Sequence, residues 1–294
     1  MSIANKMKPS IKNNLIRIIC LLILASLCLV GCSSNKKSKI RNNDYNKSEN
    51  ASPAFKEVGE QSGNNSGKET TKINNSTSNK KRVALTFDDG PHNEYTKKIV
   101  DELSKYGFNA TFFVVGNRVD GTAYNGGEAL KYAAKAGNEL AIHGYTHDPK
   151  NYYDKCSDSV YQSELSNTQS AILSKVPNAN VRLMRPVGGK ITDERIKSSK
   201  YSVIMWGVDS EDWKYKYYPS TDSSQKKQKL DTIVDNVMSK VSDGSIILMH
   251  DIYLSTYDAT VIILKQLHEQ GYEVVTVSEL IGKDLSAGKQ YFGK

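Results

Sequence analysis

Cysteine is scarce in this sequence. Its 294 residues include only Cys20, Cys28, Cys32 and Cys156. The first two lie in an N-terminal leader. Cys156 stands alone in the polar stretch Asp154-Lys155-Cys156-Ser157-Asp158, which excludes both an intrachain disulfide framework and a thiolate metal cluster. Also missing is an apolar run of bilayer-spanning length. The run from Ile18 to Val30 is too short for a transmembrane helix. There is no internal repeat. Nor does the main body carry a basic excess, although the whole chain is +8. Residues 83–294 hold 25 Lys and Arg against 27 Asp and Glu, whereas residues 32–82 hold eleven against five. The positive charge therefore sits in the leader and the segment after it, and it does not argue for a nucleic-acid groove.

What is present begins with an address. Lys6, Lys8, Lys12 and Arg17 precede Ile18–Val30, and residues 1–31 read as a signal peptide. Leu29-Val30-Gly31-Cys32 resembles the lipobox of bacterial lipoproteins. The resemblance implies cleavage before Cys32 and acylation of that residue. Several acyl chains anchor a protein stably where one would be marginal. Residues 32–80 are rich in Asn, Ser, Lys, Gly and Glu. Such a segment cannot offset its ordering entropy and is expected to be a disordered linker. Its reach is about 40 Å as a coil and about 160 Å fully stretched. The expected location is the outer face of the cell membrane, within reach of the wall.

Residues 81–294 are long enough for one sizeable core. Apolar, β-branched or aromatic runs predict strands near 82–87, 110–115, 139–142, 182–185, 202–208, 245–249 and 272–277. Helical patterns fall at 94–106, 127–136, 159–174, 192–199, 230–241 and 258–270. This alternation predicts an α/β fold, a parallel sheet with helices outside. About seven parallel strands point to a distorted (β/α) barrel.

Five clusters fall at the carboxyl ends of these strands, where such folds build active sites. Thr86-Phe87-Asp88-Asp89-Gly90 places two adjacent carboxylates, a costly pairing unless a cation relieves it. His143-Gly144-Tyr145-Thr146-His147 spaces two imidazoles as on one side of a helical turn. With Asp89 they form a His₂-carboxylate set suited to Zn²⁺ or a neighbouring divalent metal. Arg185-Pro186-Val187-Gly188-Gly189 offers a permanent charge and an approachable backbone. Asp209-Ser210-Glu211-Asp212-Trp213 joins acids to a ring that can stack on a sugar. Leu248-Met249-His250 ends a strand with a general-acid candidate. Taken singly, each is also what an ordinary turn, a core Trp or a satisfied His looks like.

In order and spacing these clusters resemble the polysaccharide deacetylase family, carbohydrate esterase family four or NodB-homology domain. The resemblance covers residues about 80 to 283. It implies a distorted, TIM-like (β/α) barrel that removes acetyl groups from polysaccharide with a divalent metal, usually Zn²⁺, with Co²⁺ or Mn²⁺ as substitutes. It further implies that Asp89, His143 and His147 bind the metal. Asp88 would be the general base, held by Arg185, and His250 the general acid, tuned by Asp212. Trp213 and Leu248 would line the acetyl pocket, and the backbone near Gly188 would supply an oxyanion N–H.

Three positions depart from the family pattern. Gly144 replaces a Ser or Thr that braces the histidine loop. Val187-Gly188 replaces Pro-Tyr, and Met184 replaces an aromatic. The expected consequences are a looser metal loop and a smaller, more open groove wall. A tethered enzyme facing the wall points to peptidoglycan, with N-acetylglucosamine first. N-acetylmuramic acid and exported poly-N-acetylglucosamine are the competitors. The freed amine is cationic and blunts lysozyme. The expected protein is a monomer with a glycan substrate, a membrane anchor at Cys32 and no nucleic-acid partner. A non-catalytic wall- or solute-binding lipoprotein is the alternative of another class; it need not keep both Asp88 and His250.

Overall fold

The structure is a computed structural model that describes residues 80–121, 125–216 and 222–294. The leader, Cys32 and most of the linker lie outside the described residues. Nine strands form one sheet: β1 (Lys81–Asp88), β2 (Thr111–Val114), β3 (Glu139–Ile142), β4 (Leu183–Met184), β5 (Ser202–Ile204), β6 (Val208–Asp209), β7 (Ile246–His250), β8 (Tyr272–Val274) and β9 (Gln290–Tyr291). Their order is β6-β7-β1-β2-β3-β4-β5-β9, with β8 added beside β1. Every ladder between these strands is parallel. The helices are α1 (Tyr95–Lys105), α2 (Gly116–Asp120), α3 (Gly127–Lys135), α4 (Asp158–Lys175), α5 (Asp193–Ser198), α6 (Ser223–Met238), α7 (Leu254–Glu269) and α8 (Val277–Ile281). No helix among the described residues is long and apolar enough to cross a membrane.

Strand periodicity divides the core in two. Val83, Leu85, Phe87, Phe112, Ile247 and Met249 face outward into the large cluster shared with the helices. Ala84, Phe113, Ala141, Leu183, Ile204 and Ile246 face inward. Val277, Leu280 and Ile281 of α8 pack with that inner set. The same parity carries upward along each strand. It turns Asp88, two residues past Thr86, inward beside His250, with which it is in register. It likewise turns His143 and Arg185 inward, two residues beyond Ala141 and Leu183.

The expected strand at 202–208 divides into β5 and β6 for a visible reason. The carbonyls of Ile204 and Met205 accept hydrogen bonds from Arg185 Nε (3.1 Å) and Nη2 (2.9 Å), and so leave the ladder. The chain thus crosses from the β4 edge to the β7 edge, which it reaches where Gly207 N–H donates to Ile246 O. The sheet curls, and this one run links its edges without a β5–β6 ladder. The Gln290–Tyr291 strand beside β5 has too few residues for a sequence signal. Helix α6 begins seven residues before its apolar pattern does. Its start is set by Asp222, whose side chain accepts from Ser224 N–H and Gln225 N–H, an N-cap placed ahead of a polar first turn.

Candidate active site

A cleft of about 450 Å³ opens at the carboxyl end of the sheet, within the usual range for a ligand site. It is lined by Asp88, Asp89, His143, His147, Gly188, Trp213, Leu248 and His250, together with Tyr152, Val187, Trp206, Asp209 and Tyr253. Arg185 and Asp212 lie beneath this surface, each fully buried. All the residues named from sequence, apart from Cys32, are therefore brought to one place.

Asp89 follows β1 in the left-handed region, φ 73°. This conformation swings its carboxylate to the side of His147 rather than continuing the strand. The turn needs Gly90, since a Cβ there would lie 2.3 Å from the carboxylate oxygens of Asp251. Asp251 is fully buried and accepts a hydrogen bond from Thr96 Oγ1. Burial pushes its pKa up to about 7. Arg118 donates to the Asp89 carbonyl and holds the turn from the other side.

Asp89 Oδ1 lies 2.8 Å from His147 Nε2 and 3.5 Å from His143 Nε2. It is nevertheless buried without a donor in hydrogen-bonding geometry. Burial opposes ionisation of Asp89, but His147, His250 and His143 hold its carboxyl well below the usual carboxylate range. His143 Nδ1 lies 2.9 Å from the Arg185 carbonyl. A carbonyl can only accept, so Nδ1 carries the hydrogen and Nε2 keeps its lone pair. Burial lowers the pKa of His143, more than the two aspartates raise it, and favours this neutral form. One ligand atom from each of Asp89, His143 and His147 lies within 4.8 Å of the others. An orphaned carboxylate oxygen facing two imidazole nitrogens is the donor set that a divalent cation fits.

The histidines converge differently from the helical turn the spacing implies. Residues 143–147 are a loop, with Gly144 at φ 91° and His147 at φ 56°. Nor is the loop left unbraced. Glu164 of α4, buried, accepts from Tyr145 N–H (2.6 Å), Thr146 N–H (2.9 Å), Thr146 Oγ1 (2.7 Å) and Asn151 Nδ2 (2.9 Å). A Cβ on Gly144 would sit 3.2 Å from Glu164 Oε2. Sequence reading missed Glu164 because it looks like any helical glutamate.

On one flank Asp88 Oδ1 accepts from Arg185 Nη1 at 2.7 Å. Nη1 also donates to Thr86 Oγ1 at 2.8 Å, and the guanidinium lies 4.1 Å over the Phe113 ring. With Nε and Nη2 on the Ile204 and Met205 carbonyls, four of the five N–H groups of the planar fork are engaged, which holds it in place. On the other flank His250 Nδ1 lies 2.7 Å from Asp212 Oδ1. Asp212 Oδ2 accepts from His250 N–H (2.8 Å) and Thr256 Oγ1 (2.6 Å). Burial disfavours the imidazolium, but the Asp212 charge and hydrogen bond outweigh it, and the His250 pKa is pushed up to about 10. His250 is thus an acid candidate and Asp88 a base candidate, in register on neighbouring strands and lining the same cleft as Asp89, His143 and His147.

Trp213 stands 47% exposed at the rim, and Leu248 is buried in the wall. The groove is not bare where the family aromatic is missing. Tyr152, from the loop before α4, reaches the space beside Gly188; a Cβ there would be 3.5 Å from its Cζ and hydroxyl.

Comparison with known proteins agrees with this geometry. The family model described as polysaccharide deacetylase matches residues 75–202. Peptidoglycan-N-acetylmuramic acid deacetylase PdaC of Bacillus subtilis is 41% identical over 202 residues, 69% of this chain and 39% of that protein. A peptidoglycan-N-acetylglucosamine deacetylase of Bacillus cereus is 32% identical over 211 residues, covering 69% and 89%. The chain therefore spans about two fifths of PdaC and most of the Bacillus cereus protein. The solved structure of Bacillus subtilis PdaC superposes with a TM-score of 0.59 at 40% identity, covering 68% of this chain and 90% of that one. With matching family model, sequence relatives and fold, this chain belongs to the polysaccharide deacetylase family.

Proposed function

We propose that the protein hydrolyses N-acetyl groups of cell-wall glycan, giving a free amine on the sugar and acetate. The observation that carries the reading is one cleft in which Asp89, His143 and His147 face a common point between an Arg-held Asp88 and an Asp-held His250. The relatives act on peptidoglycan sugars by name, and this supports peptidoglycan as the substrate. Asp89, His143 and His147 would hold the metal, and their nitrogen and oxygen donors suit Zn²⁺ best, then Co²⁺ or Mn²⁺. When bound, the cation supplies Lewis-acid polarisation of the acetyl carbonyl and lowers the pKa of water from about 15.7 to about 7.

The protein's own groups do the rest. Asp88 takes the proton of the attacking water, and Arg185 keeps its second oxygen aimed into the cleft. A backbone N–H near Gly188 meets the negative charge that develops on the acetyl oxygen. His250, protonated through Asp212, gives its proton to the sugar nitrogen, because an amine cannot leave as an anion. A positioned acid or base of this kind contributes about 10²–10⁴-fold. Trp213 and Leu248 shape the pocket for the methyl group and the sugar ring. A signal peptide over residues 1–31, acylation of Cys32 and the linker to residue 80 would hold the enzyme against the wall from outside the membrane.

The test is acetate release from purified peptidoglycan by the full-length protein, with Zn²⁺ and with chelator. Metal-dependent release supports the reading. Glycan binding with no release under either condition would make the protein a wall-binding module instead.

A further inference from the structure

We infer that the amino end of the barrel docks on an anionic phospholipid surface and so points the cleft away from the membrane. The inference goes beyond the deacetylase reading and takes from it only the tether at Cys32. Its first basis is an asymmetry of charge along the barrel. Every ladder is parallel, so segments leading from a helix into a strand lie at the amino end of the sheet. Segments leading from a strand into a helix lie at the carboxyl end, with the cleft. Each segment is counted with the residue that flanks it on either side. With Lys80 and Lys81, the amino-end set holds ten Lys and Arg against four Asp and Glu. The carboxyl-end set holds six against twelve. A nearly neutral domain thus carries opposite charge at its two ends. Lys105, Lys135 and Lys175 end helices, where a cation complements the macrodipole. The dipole gives no reason for the other seven.

The second basis is the surface itself. A hollow of about 330 Å³ at the amino end is lined by Lys80, Arg82, Asp243, Gly244, Leu280 and Lys294. Its one acid, Asp243, accepts from Arg82 N–H at 2.7 Å. Lys80, Lys81, Lys283 and Lys294 are exposed. Phe292 stands 54% exposed two residues before Lys294. Gly293 bridges to Ser245, and Lys294 N–H donates to the Gly244 carbonyl at 2.9 Å, which fixes this segment at the rim. An exposed ring among cations is the pairing that seats a protein at a headgroup layer.

The third basis is where the chain enters. The linker meets the barrel at Lys81, the first residue of β1. A coil of about 40 Å then separates this end from an acylated Cys32. Lipid headgroups are the nearest anions to it, at an effective concentration on the order of millimolar. The same surface repels the acidic carboxyl end. Docking therefore leaves the cleft open to glycan on the side away from the lipid.

The experiment is hydrogen exchange of the full-length protein on vesicles of phosphatidylcholine alone and with about 30% phosphatidylglycerol. It compares wild type with Lys80→Gln/Lys81→Gln/Lys283→Gln/Lys294→Gln. Wild type should gain protection at 80–82, 239–245 and 282–294 on the anionic vesicles only, and lose it in about 0.5 M salt. The loops at 143–147 and 185–189 should exchange as in solution. Each lysine removed should weaken docking about fivefold, while acetate release by the variant in solution stays at the wild-type rate. Equal protection on both vesicles, none on either, or protection of the cleft loops instead overturns the inference. Protection by soluble polyglycerol phosphate but not by anionic vesicles overturns it in favour of a wall polymer. None of these outcomes touches the deacetylase reading, which acetate release tests by itself.

Discussion

Replacing Asp212 with Asn tests the acid half of the site most directly. The carboxylate is fully buried and accepts three hydrogen bonds, two of them from His250. Asn is nearly isosteric, so the packing survives while the charge is lost. Burial lowers the His250 pKa, and the charge and hydrogen bond of Asp212 are the next largest influences, raising it to about 10. An opposite charge this close is worth about 1–3 pKa units, and each unit is about 1.4 kcal/mol. The variant should therefore titrate His250 about 1–3 units lower than wild type. The assay is acetate release as a function of pH, paired with NMR titration of the His250 imidazole. Activity that needs the protonated acid falls as pH rises through its pKa, so the alkaline limb should move to lower pH in the variant. A bound cation lowers both values, and the difference between the two proteins remains the readout. The same linkage has a stability side. A raised imidazole pKa contributes stability fully below about pH 6.5, and that contribution is lost as pH rises through about 10. Identical alkaline limbs and identical NMR titrations would refute the assignment of Asp212 as the group that keeps His250 charged.

The other expectations are briefer. Asp88→Asn should keep stoichiometric Zn²⁺, measured by metal analysis, yet lose nearly all turnover, a fall of about 10²–10⁴-fold; wild-type turnover would remove Asp88 from the base role. Glu164→Gln places an amide donor against donors of the 145–151 loop and should weaken Zn²⁺ binding about 10–100-fold. Competition with a chromophoric chelator reads this, and unchanged affinity would show that other contacts fix the loop. Cys32→Ala should release the protein from the membrane to the medium in a cell fractionation; retention would sink the acyl-anchor reading.

The leading features of the fold were legible because they are local. Alternating apolar runs such as Val83-Ala84-Leu85 and Ala110–Val115 announced buried parallel strands, and the clusters at their ends announced a carboxyl-face site. The first turn of α6 was not legible, because a polar first turn carries no apolar period. The break between β5 and β6 was invisible for another reason: it is imposed by a guanidinium 19 and 20 residues away in sequence from the carbonyls it takes. Glu164 and Tyr152 were missed on the same ground. Neither stands in a strand-end cluster, and only the approach of their segments to Gly144 and Gly188 gives them work.

By itself, then, the sequence determined which residue types stand at each strand end, since strand parity and turn chemistry are properties of neighbouring residues. Tertiary structure alone decided how those ends meet. It aligned Asp88 with His250 across β1 and β7, and it brought Asp89, His143 and His147 to a common point through a left-handed bend. It also compensated two apparent losses, bracing the Gly144 loop with Glu164 and placing Tyr152 beside the Gly188 gap. Those outcomes depend on distances between segments far apart in the chain, which folding fixes and local pattern does not encode.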